Sequence, residues 1–424
     1  KLQLLIKDGE ANGRHAGNDL VPTNVHRLPK NAELDEFRRK AKVVGEEALG
    51  AGTVGVILVA GGQSSRLQYE DPKGFFPVGP VSNRSLFQYY AEQILALERK
   101  YDSIIPWFIM TNPFSLQATT DFFQNNDYFG KDKSSIHFFA QRMLPAVDST
   151  GNVLMETKYS PALAPDGHGG LLNALHANRL TDKMDQQELE HLFYFQVDNP
   201  LVKIADPVFL GCHILDNADI SAKTLKKSTP EEKLGNIVRI NGAYSVIEYT
   251  ELSIEEKNRT TETGELYFNQ GSIGIHIFDK NFLKRIAADG KSMPFHVSEK
   301  SVKCLDKNGQ LNKPSTPNAF KFEQFIFDAF TQTQNICVVE VERSQEFSPI
   351  KNKTGVDSPD TARKDLRNYF GAFLKKAGYD VPTDNDGAVM WNLEISPLVA
   401  LDAEELEERL PSDFTPDDGM VLEA

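Results

Sequence analysis

The sequence predicts an α/β protein built on a mixed sheet flanked by helices. Three observations predict it. Short apolar runs that read as buried strands alternate with amphipathic helical segments between residues 31 and 197, a pattern that yields βαβ units and a mainly parallel sheet. An Asn241-Gly242 turn between two β-rich runs then adds antiparallel strands. Finally, 424 residues are too many for one small core; at roughly 150 residues per domain, two to three domains follow. The expected division is an N-terminal helical segment at 1–50, a main domain at 51–345, and a C-terminal region at 346–424 with a small α/β module.

The elements follow in order. Leu34, Phe37, Ala41 and Val44 share a face, so 31–49 reads as a helix, closed by three glycines within Gly50–Gly55. Val54–Ala60 is an unbroken apolar run, the mark of a strand buried on both faces. Asn83 or Ser85 caps a helix whose Leu86, Tyr90, Ile94 and Leu97 align. Trp107–Thr111 and Ile136–Ala140 read as strands, with a helix at 115–125 between them. Leu171–Leu180 reads as a helix and Leu192–Val197 as a further buried strand. Beyond residue 220 the hairpin 237–249 turns at Asn241-Gly242, which suits the two positive φ angles of a type I′ turn. Strands at Ser272–Phe278 and Ile336–Val341, a helix near Phe320–Phe330, and a strand-helix pair at Ala388–Glu405 complete the pass.

Composition narrows the class of function. The net charge is −14 and no long basic run occurs, so nucleic acid is not an expected partner. No apolar stretch approaches the roughly 20 residues of a membrane span, and the first residues lack the apolar core of a signal peptide. Cys212, Cys304 and Cys337 are too dispersed for a zinc site or a disulfide framework. A cytoplasmic protein with buried structural thiols is the expectation, with oligomeric state open between monomer and weak dimer.

The chemistry concentrates in four segments. Leu58-Val-Ala-Gly61-Gly62 runs a buried strand into paired glycines, followed by Arg66 and Asp71-Pro72-Lys73. Glycines let backbone N–H groups approach an anion, Arg66 offers a planar fork of donors, and Lys73 a mobile point charge. That set suits a nucleoside triphosphate. Asp198 follows the strand ending in Gln196-Val197, where ligands of open α/β sheets lie, and its hard oxygen suits Mg²⁺. Ala164-Pro-Asp-Gly167-His168-Gly-Gly-Leu171 is a glycine-dense loop opening a helix, a favourable place for anions. Lys351, in Glu346–Asn352, supplies a further cation able to meet phosphate.

Taken together, these segments resemble the eukaryotic-type UDP-N-acetylglucosamine pyrophosphorylase family of uridylyltransferases. The glycine loop, residues 164–171, Val197–Pro207, Phe268–Gly271, Lys321–Asp328, Glu346–Asn352, Asp360–Arg363 and Glu394–Leu398 fit that family's blocks in order. The resemblance implies a Rossmann-like, GT-A-like nucleotidyltransferase domain with small N- and C-terminal domains. It implies a Mg²⁺-dependent reaction of UTP with a sugar 1-phosphate, giving a UDP-sugar and pyrophosphate. By the same resemblance Gly61, Gly62, Arg66 and Lys73 hold the UTP phosphates, Gln141 and Gly167 contact uracil, and Asp198 binds magnesium. Glu248 and Asn269 face the sugar, and Lys351 meets the phosphates. The chain departs from the pattern at Ser64, Ser65 and Gln68 in the glycine loop. It also has His168 and Ser272 where the family has asparagines lining the ribose and sugar. The expected sugar is therefore N-acetylglucosamine or N-acetylgalactosamine, with a plain hexose or a non-catalytic nucleotide-sugar sensor as the alternatives.

Overall fold

The computed structural model describes residues 19–62, 66–249, 251–288, 293–411 and 413–424. Its centre is a ten-stranded mixed sheet. The strands are β1 (Leu20–Pro22), β2 (Val54–Val59), β3 (Trp107–Thr111), β4 (Ile136–Ala140), β5 (His191–Gln196), β6 (Ile220–Lys226), β7 (Asn236–Ile240), β8 (Ala243–Ile247), β9 (Gln270–Asp279) and β10 (Ile336–Glu340). The helices that matter below are α1 (Ala32–Gly50), α2 (Leu86–Tyr101), α3 (Leu116–Asn125), α4 (Leu171–Ala177), α5 (Leu180–Gln186), α6 (Pro207–Leu215), α7 (Lys280–Ala288), α8 (Pro359–Lys376) and α9 (Ala403–Arg409).

β5, β2, β3 and β4 pair in parallel in that order. All six residues of β2 are buried, because helices cover both faces of this block. On α2, capped by Ser85, the aligned Leu86, Tyr90, Ile94 and Leu97 are all buried. Each such side chain stabilises the fold by roughly 1.5–3 kcal/mol. β9 runs antiparallel between β5 and β6, and its register shifts between Ser272 and His276. That irregularity lets its first residues diverge to meet β7 at Gly271–Asn236. The β7–β8 hairpin turns at Asn241 (φ 49°) and Gly242 (φ 84°), as the Asn-Gly pair requires.

Two sequence expectations fail. The helix expected at 171–180 divides into α4 and α5: the Asn178 side chain donates to the Ala174 carbonyl, and Arg179 turns to φ 54°. The helix expected near 320–330 is a strand, Ala319–Glu323, antiparallel to His296–Lys300, followed by a 3₁₀ segment at Ile326–Gln332. Tertiary pairing overrides local preference there. The Gln324 amide donates to the Asp166 carbonyl and the Gln324 carbonyl accepts from the Gly169 amide, both at 2.7 Å, which holds this chain extended.

α1 packs on α6 at very short range. A Cβ at Gly45 would stand 1.9 Å from the Pro207 carbonyl oxygen, and one at Gly211 only 1.7 Å from that of Ala41. Residues beyond β10 fold back over the sheet. α8 starts at a Ser358–Thr361 capping box with Pro359 in its first turn, and a parallel pair, Leu393–Ile395 with Met420–Leu422, lies nearby. This layer is tied in by Arg84, whose buried guanidinium meets Glu92 and Glu394 at 3.0 Å and Glu423 at 2.8 Å. One core cluster runs from Ala41 through Phe347 to Met420. The three cysteines are buried and unpaired with one another. No helix among the described residues is long and apolar enough to cross a membrane.

Candidate active site

The site grows from the carboxyl ends of adjacent parallel strands. Register places Val59 of β2 opposite Gln196 of β5, so the glycine loop and the Asp198 loop leave the sheet side by side. Thr111 of β3 pairs with Ala140 of β4, and the Gln141 amide donates back to the Thr111 carbonyl at 2.8 Å. The Gly61 carbonyl accepts from Asn112 Nδ2 at 3.0 Å and from Gln141 Nε2 at 3.2 Å. A Cβ at Gly61 would lie 2.3 Å from that amide nitrogen, so any other residue would displace the Gln141 side chain. The other end of the Gln141 side chain, Oε1, is buried without a hydrogen-bond partner among the described residues.

Main-chain bonds clasp Lys73 and Asp198 to the chain at Ile350. The Asp198 carbonyl accepts from the Ile350 amide at 2.7 Å, and the Ile350 carbonyl accepts from Lys73 Nζ at 3.0 Å. Asn199 reinforces this. Its Nδ2 donates to the Glu346 carbonyl at 2.7 Å, and its Oδ1 accepts from the Ser348 amide at 3.0 Å. Burial lowers the Lys73 pKa; the Asp198 carboxylate opposes that shift, while Lys351 and Arg66 add to it. Four charged groups predicted from sequence thus act on one another. Arg66 itself is exposed. Ser64 and Ser65 lie outside the described residues. Gln68, which replaces a family glycine, sits at φ 54°, a strained left-handed conformation for a residue with a Cβ, of order 1 kcal/mol.

The 164–171 loop is held by the strand at Ala319–Glu323 and the chain after it. Gly167 has φ 84° and no room for a Cβ, which would fall 2.5 Å from the Gln324 carbonyl oxygen. His168 Nδ1 accepts from the Ile326 amide at 3.1 Å, and its ring stacks on Phe325 with centroids 5.3 Å apart. Burial pushes the imidazole pKa down to about 4. The ring is therefore neutral at physiological pH, with Nε2–H as its donor. Asp166 behaves oppositely for the same reason: burial raises its carboxyl to about 6 against the pull of Arg142, whose Nε stands 3.2 Å away.

These groups line two adjoining cavities. The larger, about 570 Å³, has Gly62, Lys73, Gln141 and Gly167 in its wall. The smaller, about 230 Å³, has Glu248, Ser272, Phe327 and Lys351. His168, Gln196 and Asp198 line both, marking the junction. Burial, with Glu251 nearby, raises the Glu248 pKa. Asn269 lines neither cavity; it is buried, and its Oδ1 accepts from Gln270 Nε2 at 2.9 Å.

Sequence reasoning missed Gln196, Lys300, Lys313 and Lys321, which also line the larger cavity. Gln196 could have been found, since it stands two positions before Asp198 at a strand end. Lys321 lies in a quoted block but was given no role. Lys300 ends the strand that pairs with Ala319–Glu323, Lys313 follows the short strand Leu311–Asn312, and neither carries a local signal.

A single carboxylate at the junction, faced by lysines and open space, fits a hard divalent cation that keeps phosphate and water as its remaining ligands.

The chain is similar to known proteins in sequence and in fold. The family described as UTP–glucose-1-phosphate uridylyltransferase matches residues 12–356. The human UDP-N-acetylhexosamine pyrophosphorylase-like protein 1 is 36% identical over 412 residues, covering 92% of this chain and 81% of that protein. The UDP-N-acetylglucosamine pyrophosphorylase of Saccharomyces cerevisiae is 37% identical over 402 residues, covering 92% of this chain and 82% of the yeast protein. A crystal structure from Entamoeba histolytica, described as a UDP-N-acetylglucosamine pyrophosphorylase, superposes with a TM-score of 0.85 at 32% identity. It covers 96% of this chain and all of the other.

Proposed function

The chain belongs to the UTP–glucose-1-phosphate uridylyltransferase family and is a UDP-sugar pyrophosphorylase-like uridylyltransferase; on that premise, we propose that it makes a UDP-N-acetylhexosamine and pyrophosphate from UTP and an N-acetylhexosamine 1-phosphate. The observation that carries this reading is the junction: Asp198 and His168 line both a larger cavity holding Lys73 and Gln141 and a smaller one holding Glu248 and Lys351. A nucleotide in the first and a sugar phosphate in the second would meet there.

The orphaned Gln141 Oε1 suits the N3–H of uracil, since a buried acceptor without a partner is costly. Gly61 and Gly62 present backbone to the phosphates, with Arg66 at the exposed edge. Glu248 accepts from sugar hydroxyls, and Ser272 and Phe327 share its cavity. A phosphate monoester is already a competent nucleophile, so the reaction is a direct in-line displacement at the α-phosphorus, with pyrophosphate leaving. The protein's task is to bring two polyanions together by positioning and charge neutralisation. Lys73 stabilises charge on the α-phosphate, and Lys351 receives the incoming sugar phosphate. The family typically uses a divalent metal. Asp198 would hold Mg²⁺, which supplies charge neutralisation across phosphate oxygens.

The test is pyrophosphate release from UTP and Mg²⁺ against N-acetylglucosamine, N-acetylgalactosamine, glucose and galactose 1-phosphates. Release with an N-acetylated sugar alone is the expected result. A plain hexose preference is the second reading, favoured by His168 in place of a smaller asparagine; release with glucose 1-phosphate alone would establish it. Tight UDP-sugar binding with no release would instead identify a sensor.

A further inference from the structure

Outside the active site, three side chains of metal-ligating type converge. His26, Asp216 and Cys337 each bring one ligand atom, and these atoms lie within 4.8 Å of one another. Among the described residues no other group of three His, Cys, Asp or Glu side chains meets that distance. None of the three lines either active-site cavity. The sequence hides the cluster. Cysteine spacing argues against zinc only where neighbouring turns supply the ligands, whereas here three distant segments do.

Each ligand is carried by ordered backbone. The chain at His26 lies along β10: its amide donates to the Val338 carbonyl at 2.8 Å, and its carbonyl accepts from the Glu340 amide at 3.0 Å. The imidazole stacks on Phe37 of α1, with centroids 4.8 Å apart and planes within 6°. Asp216 caps the C-terminus of α6, where its amide donates to the Cys212 carbonyl at 3.1 Å. Cys337 lies inside β10, paired with Ser221 of β6. His26 Nε2 and the Asp216 carboxylate stand 2.7 Å apart. Cys337 is buried, while the His26 and Asp216 side chains are 30% and 31% exposed. One ligand is therefore walled in by the core, and two face water.

We propose that His26 Nε2, an Asp216 oxygen and Cys337 Sγ bind one zinc ion, with water as the fourth ligand. Imidazole and thiolate suit zinc and are poor ligands for magnesium, so this site and the Asp198 site take different metals. A tetrahedron of zinc bonds sets its ligand atoms roughly 3.4–3.6 Å apart, so the 2.7 Å His26–Asp216 pair opens by roughly 0.7 Å. Both side chains are exposed enough to turn that far. Zinc takes the place of the thiol proton, which leaves to solvent, and of the Nε2 proton, which a neutral imidazole carries on Nδ1 instead. Bound so, the ion staples the chain ahead of α1 to α6 and β10, and it stabilises the folded chain by binding only that form. The proposal does not rest on the uridylyltransferase reading.

The test is titration of the metal-free full chain with cobalt(II), the spectroscopic stand-in for zinc, in excess Mg²⁺ and without nucleotide. One cobalt per chain is expected, with a thiolate-to-cobalt charge-transfer band in the near ultraviolet that one equivalent of zinc abolishes. Cys337→Ser removes the band and weakens zinc at least about a hundredfold, beyond the cost of losing a mere supporting group. Cys304→Ser keeps the band. Zinc raises the melting temperature of the wild type and leaves that of Cys337→Ser where it was. Should Cys337→Ser not fold, His26→Ala removes a half-exposed ligand instead and weakens zinc at least about tenfold. No charge-transfer band, a band that follows Cys304, full zinc affinity in either ligand variant, or a wild-type melting temperature indifferent to zinc overturns the proposal.

Discussion

The Lys73 ammonium donates to the Ile350 carbonyl at 3.0 Å, across 277 positions of chain. The Ile350 amide meanwhile donates to the Asp198 carbonyl. One residue from the C-terminal region thus links the Lys73 ammonium to the main chain of Asp198, the two positions that the glycine-loop and strand-end motifs supply. Site assembly and docking of the last layer are one event.

Lys73→Ala removes the ammonium without touching the Ile350–Asp198 bond. Turnover is expected to fall by about 10²–10³-fold, the scale of losing one preorganised electrostatic donor. Stopped-time pyrophosphate assays check it, and near-normal turnover in a cooperatively melting Lys73→Ala chain would refute the assignment.

Asp198→Asn keeps the main-chain clasp, since that bond uses the backbone carbonyl. The Mg²⁺ concentration for half-maximal rate is expected to rise at least tenfold, with an unchanged circular dichroism spectrum. An unaltered Mg²⁺ dependence would remove Asp198 from the metal site.

His168→Asn shortens a side chain at the junction of the two cavities. The KM for sugar 1-phosphate is expected to change several-fold while that for UTP moves less. With its pKa near 4, the wild-type imidazole is neutral throughout pH 6–8, so the ratio of variant to wild-type kcat/KM stays flat across that range. A ratio that bends near pH 6.5 would contradict the buried, neutral ring.

How far these residues were legible depends on what positions them. Gly61 and Asp198 follow buried strands directly, and Lys73 lies in the loop after the first, so a local reading finds both element and loop. Lys300 ends a strand that pairs with Ala319–Glu323, and Lys313 follows the Leu311–Asn312 strand between them; both reach the cavity through that pairing, which their own neighbourhood does not record. The Phe320–Phe330 stretch misleads for a related reason: its aromatic spacing suits a helix, yet backbone bonds to Asp166 and Gly169 keep it extended. α8 passed unnoticed because its buried residues, Ala362, Leu366, Phe370 and Leu374, are interleaved with charge. Asn269, placed by resemblance, is one residue before β9 and turns its side chain to Gln270.

Asp166 supplies a pH prediction. Its folded pKa of about 6 exceeds the ordinary 3.8, so folding favours the protonated form. That contribution is full below about pH 3.8 and is lost as pH rises through 6. Asp166→Asn is expected to flatten the stability curve over this window and to raise stability near neutral pH, by up to about 3 kcal/mol for two pK units. Denaturant unfolding at several pH values tests it; a slope that persists in Asp166→Asn assigns it to another group.

Gly211→Ala places a methyl against the Ala41 carbonyl, where α1 and α6 touch. Overpacking of this kind costs about 1–3 kcal/mol, more when the obstacle is backbone. A melting temperature lowered by several degrees is expected, with KM for UTP unchanged, because neither helix lines the two active-site cavities. Wild-type stability in Gly211→Ala would mean that the helices part freely.

The buried Arg84 carries a consequence for the chain during its own synthesis. Its partner Glu394 lies 310 residues downstream, about 15–60 s later at roughly 5–20 residues per second. Throughout that interval the sheet strands leave the ribosome beside a guanidinium that lacks two of its three partners, Glu394 and Glu423. Water solvates that charge meanwhile, and a chain cut short before Glu394 would lack the closing layer and leave exposed the apolar face that Leu393, Ile395 and Leu406 cover.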